Sequence, residues 1–256
     1  MLTSWLAHPL TRGVDLDDPR TTALRRRIIA EKRFLRRIYQ AWYEQLVSDI
    51  PAGAGRVLEL GSGAGFLRER LPELITSEII DTEGVDVILD GTALPIADGA
   101  LRALVMVDVL HHIGEPRRFL RDAARCVRRG GVLLMIEPWV SAWSHFVYRN
   151  FHHEPFDPKT PVWEFPATGP LSAANGALPW IMFERDRRQF EQEFPEWRVR
   201  TIEPQMPFRY LVSGGVSLRG LAPDASYRLW EGMERLLQPW MHTLAMFARI
   251  VLERAG

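Results

Sequence analysis

Three glycines occur at alternate positions directly after an apolar run, in residues 57–67 ("VLELGSGAGFL"). Glycine tolerates positive φ and lets a ligand approach the backbone closely. In a turn between a strand and a helix, Gly61, Gly63 and Gly65 would leave backbone N–H groups free to bind a polar ligand. Because such turns also serve as tight connections, the motif alone does not identify a ligand.

The spacing of this motif differs from that of a dinucleotide site. A third glycine is expected three residues after the second, whereas Gly63 and Gly65 are two apart. Glu78 is the best candidate for the ribose-binding acid, although it follows Gly65 by only 13 residues. Glu59, just before the loop, would repel a pyrophosphate. The pattern favours a ligand with a carboxylate and a cationic centre, and an NAD-linked oxidoreductase is a weaker alternative.

Two histidine pairs could act as bases. His111 and His112 follow an apolar run, and His152 and His153 lie in "NFHHEPFDP". Histidine titrates near neutral pH, which suits proton transfer. A metal site built from the second pair with Glu154 and Asp157 is conceivable, but adjacent histidines point apart in an extended segment. No EF-hand or HExxH spacing occurs either, so we predict no metal site.

Apolar runs alternate with helical patterns in the first half of the chain, which indicates a parallel, doubly wound sheet. The segment 115–131 ("EPRRFLRDAARCVRRGG") is predicted to be a helix that ends at a glycine stop, Gly130 and Gly131. Further along, the patterns predict a helix over 184–194, another helix before residue 241, and two closing strands over 196–204 and 244–254. The earlier predicted strands are 57–60, 75–80, 85–89, 103–107 and 132–136.

The N-terminal segment 1–50 contains one long predicted helix over residues 21–49. Its apolar stripe faces one side and arginines supply the other. Such a basic amphipathic helix could lie on an anionic membrane, but a solvated face over a packed stripe is the favoured interpretation. Residues 51–256 form the predicted main domain, with its core at 55–138.

Aromatic residues crowd the segment 139–183, which many prolines interrupt, and recur in 205–241. We expect both segments to lie over the strand ends as a lid and as walls of an acceptor pocket. The density of indole rings suits an apolar or amphipathic acceptor, or contact with a bilayer surface. Because sugars also stack on tryptophan, a saccharide acceptor stays open.

Bulk composition narrows the class of protein. The 256 residues are 46% hydrophobic and 25% charged, with a formal net charge of zero, so no global field attracts nucleic acid. A single cysteine, Cys126, fits a reducing compartment. The first residues lack the pattern of a signal peptide. We therefore expect a cytoplasmic protein, with peripheral membrane contact as an option. The sequence does not indicate an oligomeric state.

The loop and the segments after it resemble a known family. "VLELGSGAGFL" is similar to motif I of the class I S-adenosylmethionine-dependent methyltransferases, in the broad group of small-molecule enzymes. The likeness continues through "DGTALPIADGALRALVMVDVLHHI" at 90–113 and "FLRDAARCVRRGGVLLMIEP" at 119–138. The resemblance implies a Rossmann-like, mostly parallel seven-stranded sheet with an antiparallel last strand, and S-adenosyl-L-methionine as cofactor.

The resemblance also implies roles for individual residues. The turn amides, those of Ser62 included, would meet the methionine moiety, and Glu59 would fix its amino end. Glu78 would bind both ribose hydroxyls, with Asp81 as a rival. The residues implied to border the adenine or the methionine end are Asp90, Gly91, Thr92 and Asp108. As alternatives, Glu59 and Asp90 could cap helices, and Glu78 could be a solvated strand end.

The predicted activity is methyl transfer to oxygen or carbon of a small, apolar or lipid-like acceptor. Such acceptors must lose a proton, which calls for a base among the four histidines. The "VLHH" stretch recurs in the resembling group irrespective of substrate, so His111 and His112 could equally be structural. A non-catalytic membrane module that keeps the cofactor fold is the second hypothesis.

Overall fold

The computed structural model describes residues 7–11, 13–14, 17–18, 20–151, 154–166, 169 and 173–256. Seven strands form one sheet in the order β3-β2-β1-β4-β5-β7-β6. The first five are parallel neighbours, and β7 runs antiparallel to both β5 and β6. The predicted Rossmann-like sheet with an antiparallel last strand is confirmed. The strands are β1 (Arg56–Leu60), β2 (Ile75–Glu78), β3 (Val87–Ile88), β4 (Leu101–Val107), β5 (Val127–Pro138), β6 (Trp197–Gln205) and β7 (Phe247–Arg254).

Short and long helices cover both faces of the sheet. The helices are α1 (Arg20–Glu31), α2 (Arg33–Asp49), α3 (Pro116–Cys126), α4 (Ala142–Phe151), α5 (Leu178–Trp180), α6 (Arg187–Glu193), α7 (Arg209–Ser213), α8 (Tyr227–Leu236) and α9 (Met241–Leu244). A π-helical turn, Ile181–Arg185, joins α5 to α6. Among the described residues, no helix combines the length and the apolar character that crossing a bilayer requires.

Alternate residues of the central strands point to opposite faces, as the period of a β-strand requires. In β4, Leu104 and Met106 belong to the core cluster shared with α3, whereas Ala103 and Val105 belong to the cluster shared with α1 and α2. The N-terminal helices therefore bury their apolar stripe against the sheet. This position brings α1 to the carboxyl ends of the strands.

The predicted single N-terminal helix is wrong in one respect, because it is interrupted at Lys32. The backbone of Lys32 leaves the helical region, with φ −85° and ψ 89°. Its ammonium group donates hydrogen bonds to the carbonyls of Gly215 (2.6 Å) and Leu218 (3.0 Å). The apolar period continues across the break, so the pattern does not reveal it.

Two further element boundaries differ from prediction. The second strand ends at Glu78 rather than at residue 80, which places Glu78 at the carboxyl edge of the sheet. After it, β3 contains only two residues. The third helix ends at Cys126, and Val127 begins β5. The predicted glycine stop at 130–131 therefore lies inside that strand, not at the end of the helix.

Candidate functional site

The glycine loop, residues 61–65, begins where β1 ends. Gly61 and Gly63 have positive φ values of 67° and 27°. A Cβ atom at Gly61 would lie 2.5 Å from a methyl group of Val109, and one at Gly63 would lie 2.8 Å from Oε2 of Glu78. Glycine is therefore required at both positions, by backbone conformation and by space. The amide of Gly65 donates to the carbonyl of Ser62 (2.6 Å) and closes the turn.

Ser62 fixes the loop to the neighbouring strand. Its hydroxyl donates to the carbonyl of Glu59 (3.1 Å) and accepts from the amide of Ser77 (3.2 Å). The Ser77 hydroxyl donates to the same Glu59 carbonyl (2.8 Å). The side chain of Ser62 thus has a structural part, while the residue itself lines the cavity described below.

Glu78 lies beside the loop. Its Oε1 accepts a hydrogen bond from the amide of Ile79 (3.1 Å), and burial raises the pKa of its carboxyl. Glu78 lines the cavity, whereas Asp81 is exposed and is absent from its lining. The geometry therefore favours Glu78 over Asp81 as the acid that meets a ligand in the loop.

The next turn supplies three more of the predicted residues. Asp90, Gly91 and Thr92 all line the cavity. Oδ1 of Asp90 accepts hydrogen bonds from the amide (2.8 Å) and the hydroxyl (2.9 Å) of Thr92, so one carboxylate oxygen caps this turn. A Cβ atom at Gly91 would lie 3.0 Å from Leu60, which explains the small residue there.

Two acids lie deeper in the site. Burial raises the pKa of Glu59 to about 8. Asp108 follows β4 and adopts φ 63°, an uncommon conformation for a residue other than glycine. Partial burial in the cavity raises the pKa of Asp108 to about 6. Both line the cavity, and a cationic ligand would favour their ionised forms.

These residues share one cavity of about 710 Å³ with residues that the sequence analysis did not single out. Thr22 and Arg25 of α1 line it, together with Tyr39 and Tyr43 of α2. Arg26 donates to the carbonyl of Gly63 (2.7 Å), which holds α1 over the glycine loop. The basic face of the N-terminal segment was the available signal, but it did not distinguish these side chains from solvated arginines.

The opposite wall comes from the two segments predicted to cover the strand ends. Glu154 and Phe165 belong to the first segment, and Tyr210 and Val216 belong to the second. No tryptophan in the described part of the chain lines the cavity; Trp163, for example, is buried in the core. The expectation that indole rings form the acceptor walls is therefore wrong, and sugar stacking on tryptophan loses its support.

Of the four predicted histidines, His112 lines the cavity and His111 is fully buried behind it. Nδ1 of His112 lies 3.1 Å from the carbonyl of Ala173, and burial lowers the pKa of His112 to about 3. Nδ1 of His111 lies 2.8 Å from Oε2 of Glu137. Burial opposes a charge on His111, but Glu137 and Glu154 raise its pKa well above the ordinary value. His152 and His153 lie outside the described residues.

Comparison with known proteins agrees with this geometry. Residues 58–135 match the family model described as a methyltransferase domain. No curated protein matches the chain by sequence.

Three solved structures of similar fold have TM-scores above 0.5. A chain from a complex of the Haloferax volcanii Trm112 methyltransferase activator is 11% identical, with a TM-score of 0.54, over 94% of this chain and 98% of that one. A possible histamine N-methyltransferase from Thermotoga maritima is 16% identical, with a TM-score of 0.52, over 91% and 99%. The geranyl diphosphate C-methyltransferase from Streptomyces coelicolor, in complex with S-adenosyl-L-homocysteine, is 14% identical, with a TM-score of 0.52, over 98% and 87%.

The cradle at Gly63, which any side chain would fill, and the acids around it fit S-adenosylmethionine. The strand order, the glycine loop and the matched domain agree with one another. Residues 58–135 form a methyltransferase domain, and the seven-stranded sheet that contains it has the fold of the class I S-adenosylmethionine-dependent methyltransferases.

Proposed function

We propose that this enzyme methylates an oxygen or carbon atom of a small, largely apolar acceptor. One observation carries the proposal: a single cavity joins the glycine loop to a second wall that contains Phe165, Tyr210 and Val216. Its volume of about 710 Å³ lies in the range of ligand pockets. We call the part near residues 61–65 the cofactor half and the part near this wall the acceptor half.

The residues of the cofactor half would bind and orient. Amides of the loop and the carboxylate of Glu59 would hold the methionine end, Glu78 the ribose, and the turn at Asp90 the adenine. When bound, the cofactor supplies an electrophilic methyl group on a sulfonium. Since this displacement needs no covalent enzyme intermediate, alignment of the acceptor with the methyl group can provide much of the acceleration.

The acceptor half would exclude water and receive the acceptor. Phe165 and Val216 give it apolar surface, and the amide of Phe165 donates to the carbonyl of Gly114 (3.1 Å), which fixes this wall to the loop after β4. The Streptomyces coelicolor neighbour is a geranyl diphosphate C-methyltransferase, so this fold can serve an acceptor with an apolar chain. A lipid-like acceptor is consistent with both observations.

A histidine base is part of the proposal. His112 is the candidate within the described residues that reaches the cavity, while His111 would act only through its neighbours. With its pKa lowered to about 3, His112 is neutral and able to accept a proton, yet it is a weak base at neutral pH. Help in removing the proton from an acceptor hydroxyl would therefore be needed.

The basic N-terminal helices give little support to a non-catalytic membrane module. Arg26 binds the glycine loop and Arg36 pairs with Glu69. Arg25 lines the cavity. Much of the basic face thus serves the site and the fold, which favours the packed interpretation over membrane binding.

The test is transfer of labelled methyl from S-adenosylmethionine to fractionated apolar and polar metabolite extracts, with mass analysis of the product. We expect a labelled product heavier than an acceptor in the apolar fraction by one methylene group, about 14 mass units, plus the mass of the label. Gly63→Val serves as the inactive control. If folded protein binds S-adenosylhomocysteine but labels only polar metabolites, the apolar acceptor is wrong.

A further inference from the structure

At the edge of the acceptor half lies a group of three side chains, of which the proposed reaction uses only His112. One ligand atom each from His111, His112 and Glu154 lie within 4.8 Å of one another. The two histidines follow each other in a 3-10 turn, Leu110–His112, rather than in an extended segment. Their rings therefore lie side by side, with centroids 4.2 Å apart, instead of pointing apart.

The tautomer of His111 is set by Glu137. Oε1 of this fully buried carboxylate accepts hydrogen bonds from the amides of Val109 (2.9 Å) and Leu110 (2.7 Å). Its Oε2 faces Nδ1 of His111 at 2.8 Å, so Nδ1 carries the donated proton. A metal ion that displaces the proton from the other ring nitrogen, Nε2, would bind the lone pair of that nitrogen. A carboxylate that holds the distal nitrogen of a histidine in this way is the usual outer partner of a metal ligand.

Nε2 of His111 is buried and has no hydrogen-bond partner among the residues that the structure describes. It faces Oε2 of Glu154 at 3.6 Å and Oδ1 of Asp108 at 3.9 Å, and both are acceptors. These separations are too long for a hydrogen bond. They are close to the distance of about 3.4 Å between two ligands that each lie about 2.1 Å from one tetrahedral Zn²⁺.

We propose that His111, His112 and Glu154 bind a divalent transition-metal ion, with Zn²⁺ as the best fit, at the edge of the acceptor half. Two imidazoles and one carboxylate form a donor set typical of catalytic zinc, and the cavity leaves space for a further ligand. Mg²⁺ prefers an all-oxygen set.

Such an ion would help to remove the proton from an acceptor hydroxyl. This role, unlike the metal site itself, rests on the proposed function. An acceptor hydroxyl bound to the ion would ionise more readily. Its proton would pass to solvent, the new O–C bond would form as the S–C bond breaks, and the products would be the methyl ether and S-adenosylhomocysteine. Because the residues that bind the ion adjoin Asp108, it would lie next to the methionine end of the cofactor half.

The test uses full-length protein stripped with a chelator and titrated separately with Zn²⁺ and Mg²⁺ by calorimetry, with bound metal counted by elemental analysis. We expect one Zn²⁺ per chain and no comparable binding of Mg²⁺. In Glu154→Gln and His112→Ala the bound zinc should fall to near zero. The matched control is His242→Ala, an exposed histidine of α9 outside the cavity, which should keep one ion.

Glu137→Gln gives a second measure that loss of folding would not mimic. An amide can keep accepting from the backbone, but its NH₂ group would face Nδ1 of His111 and move the proton to Nε2. We expect zinc affinity to fall about 10- to 100-fold, the usual effect of losing an outer partner. Unchanged affinity, or equal zinc binding in all four variants, would place the metal elsewhere and overturn the proposal.

Titration with S-adenosylhomocysteine separates this inference from the proposed function. The nucleoside should bind to every variant, because its contacts lie in the cofactor half. If it binds but zinc does not, the metal site is wrong and the methyltransferase stands. If zinc binds as expected but no apolar acceptor is methylated, the metal site stands and the acceptor proposal fails.

Discussion

The two halves of the cavity differ in how the chain builds them. The cofactor half comes mainly from residues 59–108, where each acid or glycine lies at the end of a strand or within a few residues after it. The acceptor half joins Glu154 and Phe165 to Tyr210 and Val216, which lie some 45 or more residues further along the chain. The residues of the cofactor half are close together in the sequence, whereas those of the acceptor half come together only when the sheet has folded.

The strongest test of this contrast is Gly63→Val. The new side chain would have to adopt φ 27° and would meet the carboxylate of Glu78. We expect no measurable binding of S-adenosylmethionine by calorimetry. Gly130→Val is the matched control, because Gly130 also has positive φ (70°) but no atom of the described residues lies within 4 Å of its Cβ position. If both variants bind equally well, the cradle is not where we place it.

Glu78→Ala should have the next largest effect. Loss of hydrogen bonds from a charged group costs about 1.5–3 kcal/mol, or about 10- to 140-fold in affinity. Asp81→Ala, at the exposed position three residues on, should bind the cofactor normally. The reverse result, with Asp81→Ala weakened and Glu78→Ala intact, would transfer the ribose contact to Asp81.

The cofactor half was accessible to sequence reasoning because its residues obey short-range rules. Glu78 ends a strand and Asp90 follows one, and the carboxyl ends of parallel strands lie at one edge of the sheet. The wall over the glycine loop was not accessible, since Arg25 and Tyr43 come from helices whose pattern is equally typical of a packed stripe under a solvated basic face. The prediction for the tryptophans was wrong for the same reason. Trp163 lies in the core, where its Nε1 donates a hydrogen bond to Asp186 (2.9 Å). The density of aromatic residues in a segment does not say whether they face the core or the cavity.

The pH dependence of cofactor binding tests Glu59. In the empty site its pKa is raised to about 8, so it is protonated at pH 6. A cationic methionine end favours the ionised form, so binding at low pH must expel a proton. We expect affinity for S-adenosylmethionine to rise between about pH 6 and pH 8, by at most tenfold per unit, and then to level off. Glu59→Gln should flatten this part of the profile.

The carboxyl of Glu59 also leads to a prediction about the stability of the protein, whose dependence on pH has the opposite sign to that of cofactor affinity. Its folded pKa is raised, so its contribution to the stability of the cofactor-free protein is fully present below the unfolded pKa of 4.5 and is lost as pH rises through about 8. The unfolding midpoint should fall more steeply over that window in the wild type than in Glu59→Gln. Parallel profiles would show that Glu59 is not buried uncharged.

Phe165→Ala should have the smallest effect and separates the two halves most cleanly. Phe165 lines the acceptor half. Full burial of a phenylalanine side chain contributes about 1.5–3 kcal/mol, and the partly buried ring of Phe165 contributes less. We expect KM for the acceptor to rise roughly tenfold, while the Kd for S-adenosylhomocysteine stays unchanged. Phe146→Ala, an exposed ring outside the cavity, is the control and should alter neither constant. If Phe165→Ala instead weakens the cofactor alone, Phe165 belongs to the cofactor half and the division of the cavity must be redrawn.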